Sequence, residues 1–168
     1  MDPTGPPQWR RSGSQSGGWV INDIGAHLLD LMLWMCGQDG TLAGALLASQ
    51  QFDLPTDDSA AVLVRLGKSA IGIMETSCAN DSPGSRIEVY GSQGWIRADD
   101  TLSGASTVTA HDGRTVSFPV VPMLDAYAAE VADFLAAMRG ERGIGADAAA
   151  GAALACIIET AVAETRCA

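Results

Sequence analysis

One lysine and nine arginines, with two histidines besides, stand against twenty acidic residues in this chain of 168 residues, and the formal net charge is −10. Shortage of positive charge argues against nucleic-acid or anionic-membrane binding, both of which call for basic patches. Aromatic residues make up only 5%. No run of apolar residues reads as long enough to cross a bilayer, and the start, Met1-Asp2-Pro3-Thr4-Gly5-Pro6-Pro7, lacks the apolar core of a secretory signal. The four cysteines, Cys36, Cys78, Cys156 and Cys167, form no C-x-x-C pair. The first three read as small buried hydrophobes in a reducing cytoplasm. With 47% hydrophobic and 18% charged residues, the chain is an ordered globular protein that needs no metal or disulfide staple.

What is present is concentrated between Gly17 and Gly37, GGWVINDIGAHLLDLMLWMCG. Asp23, His27 and Asp30 are spaced four and three apart, which on an α-helix stacks all three on one face. Ile24, Leu28, Leu31, Leu33, Trp34 and Met35 supply the apolar surface to bury the other side. Asn22 or Asp23 can cap the start, and Gly37 suits the left-handed position past the end. The spacing is open to three readings. One is a core helix whose histidine is satisfied by a carboxylate. Another is acid–base chemistry, with His27 exchanging a proton, Asp23 beside it and Asp30 orienting the ring. The third is a metal site, for which no second histidine or cysteine lies at ligand spacing.

Residues 1–18, rich in Pro, Gly and Ser, read as a flexible arm, and 19–168 as one domain. Trp9 can wall a site or pack on the core. Arg10 and Arg11 can reach a substrate carboxylate or phosphate, or stay solvated. After Gly37 the apolar period changes to two. Strands are expected at Leu42–Gln51, Ala60–Leu66, Ala70–Ser77, Arg86–Tyr90, Trp95–Ala98, Thr107–His111 and Thr115–Phe118, joined by short turns such as Gly67-Lys68 and Asp112-Gly113. Short-looped consecutive strands pair antiparallel. From Met123 the period is helical again, with Leu124, Tyr127, Val131, Phe134, Leu135 and Met138 on one face and Gly140 as the stop. A last, alanine-rich helix begins near Asp147. Gly143-Ile144-Gly145-Ala146 follows a helix, not a strand, and reads as a loop. His111 reads as an exposed turn residue. The fold class is α+β: a mostly antiparallel open sheet with helices on one face and the other face left for oligomerisation.

Trp9-Arg10, Gly17-Gly18, Asp23-Ile24-Gly25-Ala26-His27-Leu28-Leu29-Asp30, Trp34 and Gly37 resemble the C-terminal domain signature of the Gfo/Idh/MocA oxidoreductases. Ile87–Ile96 resembles that family's strand–GxxG–strand hairpin. The resemblance implies that Asp23 and His27 line a sugar or cyclitol site as the catalytic pair. It further implies that Asp30, with Arg10 and Trp9, binds substrate, and that the open sheet face assembles a homo-oligomer. The family also carries a Rossmann domain for NAD or NADP and a catalytic lysine in a Glu-Lys-Pro motif, and neither is in this sequence. No cofactor is therefore expected on this chain alone, only with a Rossmann partner. Three functions are compatible with this: the substrate domain of such an oxidoreductase; a cofactor-independent lyase, isomerase or cyclase using Asp23 and His27; or a non-catalytic scaffold.

Overall fold

A computed structural model describes residues 8–79, 84–101, 106–141, 143 and 145–166. The chain forms two compact units, one of residues 1–80 with 146–168 and the other of residues 81–145. The seven expected strands are all present, but they fall into two antiparallel sheets and not one.

The first unit opens with a 3₁₀ turn, Gln8–Arg11, and a single-turn helix, α1, Gly13–Ser16. A π-helical turn, Ile21–Gly25, then leads into α2, Ala26–Cys36. Strands β1 (Gly40–Ala48), β2 (Ser59–Leu66) and β3 (Ala70–Ser77) come next as a meander. The register β2–β3 is continuous, while β1 carries an irregularity between Leu42 and Gly44.

Alternation decides the faces. Ala60, Val62, Val64 and Leu66 of β2 point inward with Met74 of β3 and are buried. They meet Val20 and Ile21 from the π-turn region, Leu29 of α2, and Ile157, Ile158 and Ala161 from the last helix. Each such aliphatic side chain contributes about 1.5–3 kcal/mol on leaving water, so this single layer of contacts holds the unit together.

The α2 residues that pack on this core are Leu29 with the partly buried Ala26, Leu28, Met32, Leu33 and Cys36. Leu28 and Leu33 of the expected stripe are among them, but Trp34 and Met35 face solvent. Gly37 does take the left-handed conformation, and its N–H donates to the carbonyls of Leu33 and Trp34.

Two adjacent carboxylates fix the loop between β1 and β2. Asp58, fully buried, accepts the amides of Gln50 (2.9 Å), Gln51 (2.8 Å) and Phe52 (3.2 Å), and the hydroxyl of Ser59 at 3.0 Å. Burial pushes its carboxyl up, but these hydrogen bonds outweigh burial and the group titrates below the ordinary carboxylate value. Its backbone is also pinned, by donation to Ala48 O and acceptance from Cys78 N.

The second unit holds β4 (Arg86–Gly91), β5 (Gly94–Asp99), β6 (Ser106–Ala110), β7 (Thr115–Phe118) and helix α3, Met123–Met138. Its register sorts the side chains. Arg86, Glu88, Tyr90, Trp95, Arg97, Asp99 and the threonines of β6 share one face, laced by Arg86–Asp99 and Arg97–Asp99 ion pairs. Ile87, Val89, Ile96, Ala98, Val108, Val116 and Phe118 share the other. None of the described residues of this unit is buried. The α3 stripe forms as its periodicity requires, yet Leu124, Tyr127, Val131, Phe134, Leu135 and Met138 are all exposed.

Helix α4, Ala148–Arg166, returns to the first unit and packs on β1 and α2. Its alanine content gives residues 148–165 a mean hydropathy of 1.4, so by length and composition this segment does reach bilayer-spanning size, contrary to the sequence reading. Burial of Ile157, Ile158 and Ala161 against the sheet is its role within the unit. Cys156 on this helix is exposed, not buried as expected, while Cys36 and Cys78 are half-buried; all three are free thiols. Cys167 lies outside the described residues.

Replacing Asp58 with alanine strands three backbone amides and is expected to cost about 3 kcal/mol, read by urea denaturation. A carboxyl depressed in the folded state stabilises fully above its unfolded value, near ~4, and that contribution is lost as pH falls through the folded value. Wild-type stability should therefore drop more steeply below about pH 4 than that of Asp58→Asn; equal slopes would contradict the assignment.

Candidate functional site

The site begins with a turn that has no capping side chain of its own. Asn22 does not cap the helix: its Nδ2 donates to the carbonyls of Ser16 (3.2 Å) and Gly18 (3.0 Å). The cap comes from 36 and 38 residues downstream, where the buried Asp57 carboxylate accepts Trp19 N at 2.6 Å and Ile21 N at 2.8 Å. These are charge-assisted bonds to amides that the helix start would otherwise leave unmade. The carbonyl of Asp57 in turn accepts Val20 N. Gly18 makes the approach possible. It has φ +148°, and a Cβ there would lie 2.8 Å from Ile21 Cγ2 and 3.0 Å from Asp57 Oδ1.

The turn is π-helical in its hydrogen bonding. Gly25 N donates to Val20 O, five residues back, so the segment carrying Asp23 is wider than an α-turn. The partner of Asp23 is Arg10: Nη1 lies 2.8 Å from Asp23 Oδ2, with about a third of each side chain exposed. Arg10 also lies over the Trp9 ring, 5.0 Å from its centroid. Arg10 Nε is shielded from solvent and has no hydrogen-bond partner among the described residues.

His27 stands in the first turn of α2 and is exposed, which removes the core-histidine reading. Asp30, one turn on, is half-buried. Among the described residues neither Asp23 nor Asp30 hydrogen-bonds His27. The structure thus brings Trp9, Arg10 and Asp23 together at one end of the turn, with His27 beyond them.

Cys78, just past β3, belongs to the same neighbourhood although nothing in its sequence context marks it. Burial pushes its thiol up, the Asp23 carboxylate adds to this, and Arg10 opposes it; Asp58 and Asp57 add smaller contributions of the same sign as Asp23. Asp57 and Asp58 are the residues that sequence reasoning missed. Their one legible signal was a pair of acids directly before an apolar strand.

Among the described residues, no three His, Cys, Asp or Glu side chains converge as metal ligands. Behind the Gly17-Gly18 turn lies an open cavity of about 210 Å³, lined by Leu47, Ser49, Leu54, Thr56, Asp57 and Thr165 among others. Its polar atoms are already engaged, Ser49 Oγ by Leu54 N and Thr165 Oγ1 by Ala161 O. Lys68 lies in the β2–β3 turn, away from this cluster in sequence and exposed. His111 is exposed at the β6–β7 turn. Residues 142 and 144, which flank Gly143, lie outside the described residues, and Gly145 N donates to the Asp133 carboxylate.

The fold is α+β with antiparallel sheets, and the Arg10–Asp23 pair stands just ahead of its first long helix. Comparison with known proteins supplies the family. Residues 1–97 match the model of the GFO/IDH/MocA C-terminal domain, and the chain belongs to that family. It is 30% identical to the inositol 2-dehydrogenase of Rhizobium meliloti (strain 1021), over 98% of this chain and 53% of that protein. Two solved structures share the fold. An oxidoreductase from Agrobacterium radiobacter, in complex with NAD+, L-tartaric acid and magnesium, aligns with TM-score 0.75 and 20% identity over 99% of this chain and 52% of its own. An NAD-binding oxidoreductase from Klebsiella pneumoniae aligns with TM-score 0.75 and 20% identity over 98% and 53%. The chain spans about half the length of the curated relative it matches.

Replacing Asp57 with alanine leaves two amides without acceptors and is expected to destabilise the protein by about 3 kcal/mol. Amide hydrogen exchange at Trp19 and Ile21 should rise by at least tenfold; unchanged exchange there would show that the carboxylate does not hold the turn.

Proposed function

We propose that this chain is the substrate-binding and assembly half of an NAD(P)-dependent oxidoreductase that oxidises a hydroxyl of a sugar or cyclitol. The observation that carries this reading is the exposed His27 beside the Arg10–Asp23 pair, at the head of a helix whose pattern matches the family. The dehydrogenase relative is named for an inositol, which supports a small polyol as substrate.

Every strand pairing among the described residues is antiparallel, so none offers the βαβ crossover at whose switch point a dinucleotide is cradled. The residues present do not fit NAD or NADP, and the cofactor is assigned to a Rossmann domain contributed from outside this sequence. This chain's share of the reaction is the proton and the orientation of the substrate. His27 takes the hydroxyl proton as the carbinol carbon is oxidised. Asp23 accepts a neighbouring hydroxyl, Trp9 offers an apolar ring face to the sugar, and Asp30 holds a further hydroxyl. A working site of this kind acts in a reducing compartment, the cytoplasm, in keeping with three free thiols.

Assembly is proposed through the outer face of the first sheet. There Leu46, Leu63, Ile71 and Ile73 are 40–75% exposed; Leu63 lies directly opposite Ile73, and Leu46 and Ile71 share the same face opposite Ala61 and Arg65. A stable contact buries about 800 Å² per partner, and these four exposed aliphatic side chains would form its apolar centre.

Reconstituted with a Rossmann domain from a relative, His27→Ala should lower turnover by at least a hundredfold with the fold and oligomer unchanged. Turnover that survives in His27→Ala would end the catalytic assignment. Separately, light scattering after size exclusion should show an oligomer at micromolar concentration, and Ile73→Glu should dissociate it; a monomeric wild type would refute the assembly face.

A further inference from the structure

We propose that α3 is an assembly helix: it pairs with the α3 of a second copy of this chain, the two helices running antiparallel, in a contact separate from the outer face of the first sheet. The pairing goes beyond the reaction assigned to His27 and does not depend on it.

The helix lacks cover. α3 has 16 residues, and none of them is buried. A helix of that length with nothing packed on it is marginal in water. Leu124, Tyr127, Val131, Phe134, Leu135 and Met138 share one face and are 46–78% exposed. A contiguous apolar face of this extent marks a contact surface.

Spacing identifies what fits there. Leu124, Tyr127, Val131, Phe134 and Met138 recur at intervals of three, four, three and four, the a/d repeat of a two-helix seam. Met123 and Leu135 are the other large apolar residues of the helix, and every remaining position is alanine, aspartate or glutamate. So narrow a stripe fits a second helix, whereas a helix that packs on a sheet carries a wider one. The four residues that link β7 to α3, Pro119-Val120-Val121-Pro122, include two prolines, and Pro122 is extended, with φ −54° and ψ 134°. Proline stiffens such a link and makes it a poor hinge for folding α3 back onto the strand it follows.

The seam complements itself when reversed. Laid antiparallel, Val131 and Phe134 meet the second copy's Phe134 and Val131, and Tyr127 meets the second copy's Met138. Each ring then faces a smaller or more pliant side chain, and the thioether lies against an aromatic ring, a favourable contact. Glu130 is the one charge at the positions flanking the seam, and it falls beside the second copy's Ala137. A parallel pair would oppose Tyr127 to Tyr127 and Phe134 to Phe134, and would set Glu130 against Leu135. A twofold contact requires a patch that matches its own image, which the antiparallel pair provides. Burying the exposed parts of these side chains removes about 500 Å² of apolar surface per copy. The total of about 1,000 Å² is at the lower end of specific interfaces, so the pair is a weak one, with Kd on the order of 100 µM.

The test uses the full chain carrying Ile73→Glu, which silences the face of the first sheet. Sedimentation equilibrium should show a dimer at about 500 µM and a monomer at about 5 µM. Phe134→Glu should abolish that dimer, while Ala129→Glu, on the opposite side of the helix, should leave it intact; circular dichroism checks that both variants keep their helices. Orientation is read by oxidative cross-linking after Cys36, Cys78, Cys156 and Cys167 are changed to alanine. Tyr127→Cys mixed with Met138→Cys should give a disulfide-linked dimer, and each alone about fivefold less, because only facing positions come within bonding reach.

A monomer at every concentration, a dimer that survives Phe134→Glu, or cross-linking as efficient within either variant alone would overturn the proposal. So would a Rossmann domain from a relative that shields Met138→Cys from alkylation at a concentration where the chain is monomeric, for α3 would then belong to that partner. None of these readouts involves turnover or the Ile73 face, so they stand or fall independently of the function proposed above.

Discussion

One buried carboxylate receives both the Trp19 and the Ile21 amide, and the rest of the first unit is built outward from that point. Helix starts usually find their cap in the preceding residue or two. Here the acceptor arrives from the far end of the β1–β2 loop, so the turn that leads into α2 and the entry to the central strand are the same knot. Asp58, the next residue, ties the other side of the loop through three amides. A charge so deeply placed is tolerated because its lone pairs are filled by donors, which stabilises the ionised form despite lost hydration. The turn that bears Asp23 is thereby fixed from beneath, by the sheet, and not by its own sequence.

That arrangement explains what was legible in the sequence. Strands β3 and β7 match their expected bounds, and the others differ by a few residues at their ends, because period-two alternation and the Gly67-Lys68 and Asp112-Gly113 turns are local signals. The left-handed Gly37 was equally local. The cap was not, since Asp57 is 36 residues from Ile21 in sequence and meets it only through the tertiary fold. The π-turn was invisible for a related reason: its residues satisfy an α-helical period as well as a wider one. The Arg10–Asp23 pair was no more legible, because it joins the 3₁₀ turn to the π-turn through the tertiary fold. The stripe on α2 was right at Leu28 and Leu33 and wrong at Trp34 and Met35, which are apolar by type but lie on the solvent side, whereas the core took Leu29, Met32 and Cys36 by angle.

The two sheets show the same physics with different results. In the first, one face of β2 is sealed by α2, α4 and the π-turn. In the second, register separates an ion-paired face from an aliphatic one just as cleanly, yet none of its described residues is buried. Pattern in a sequence states which side of a strand seeks cover. It does not state what supplies the cover, and this is why the α3 stripe was correct in its residues and wrong in its implied burial.

Gly72 and Gly40 set how α2 rests on the sheet. Met32 Sδ occupies the space a side chain at Gly72 would need, and Leu33 Cδ2 lies 2.5 Å from where a Cβ on Gly40 would fall. Both lie under the C-terminal half of α2. A methyl group at either glycine would meet the far end of a flexible side chain, so Met32 or Leu33 would have to turn aside. The two glycines are sockets cut into the sheet for α2, and filling either one displaces a side chain that now packs on the core.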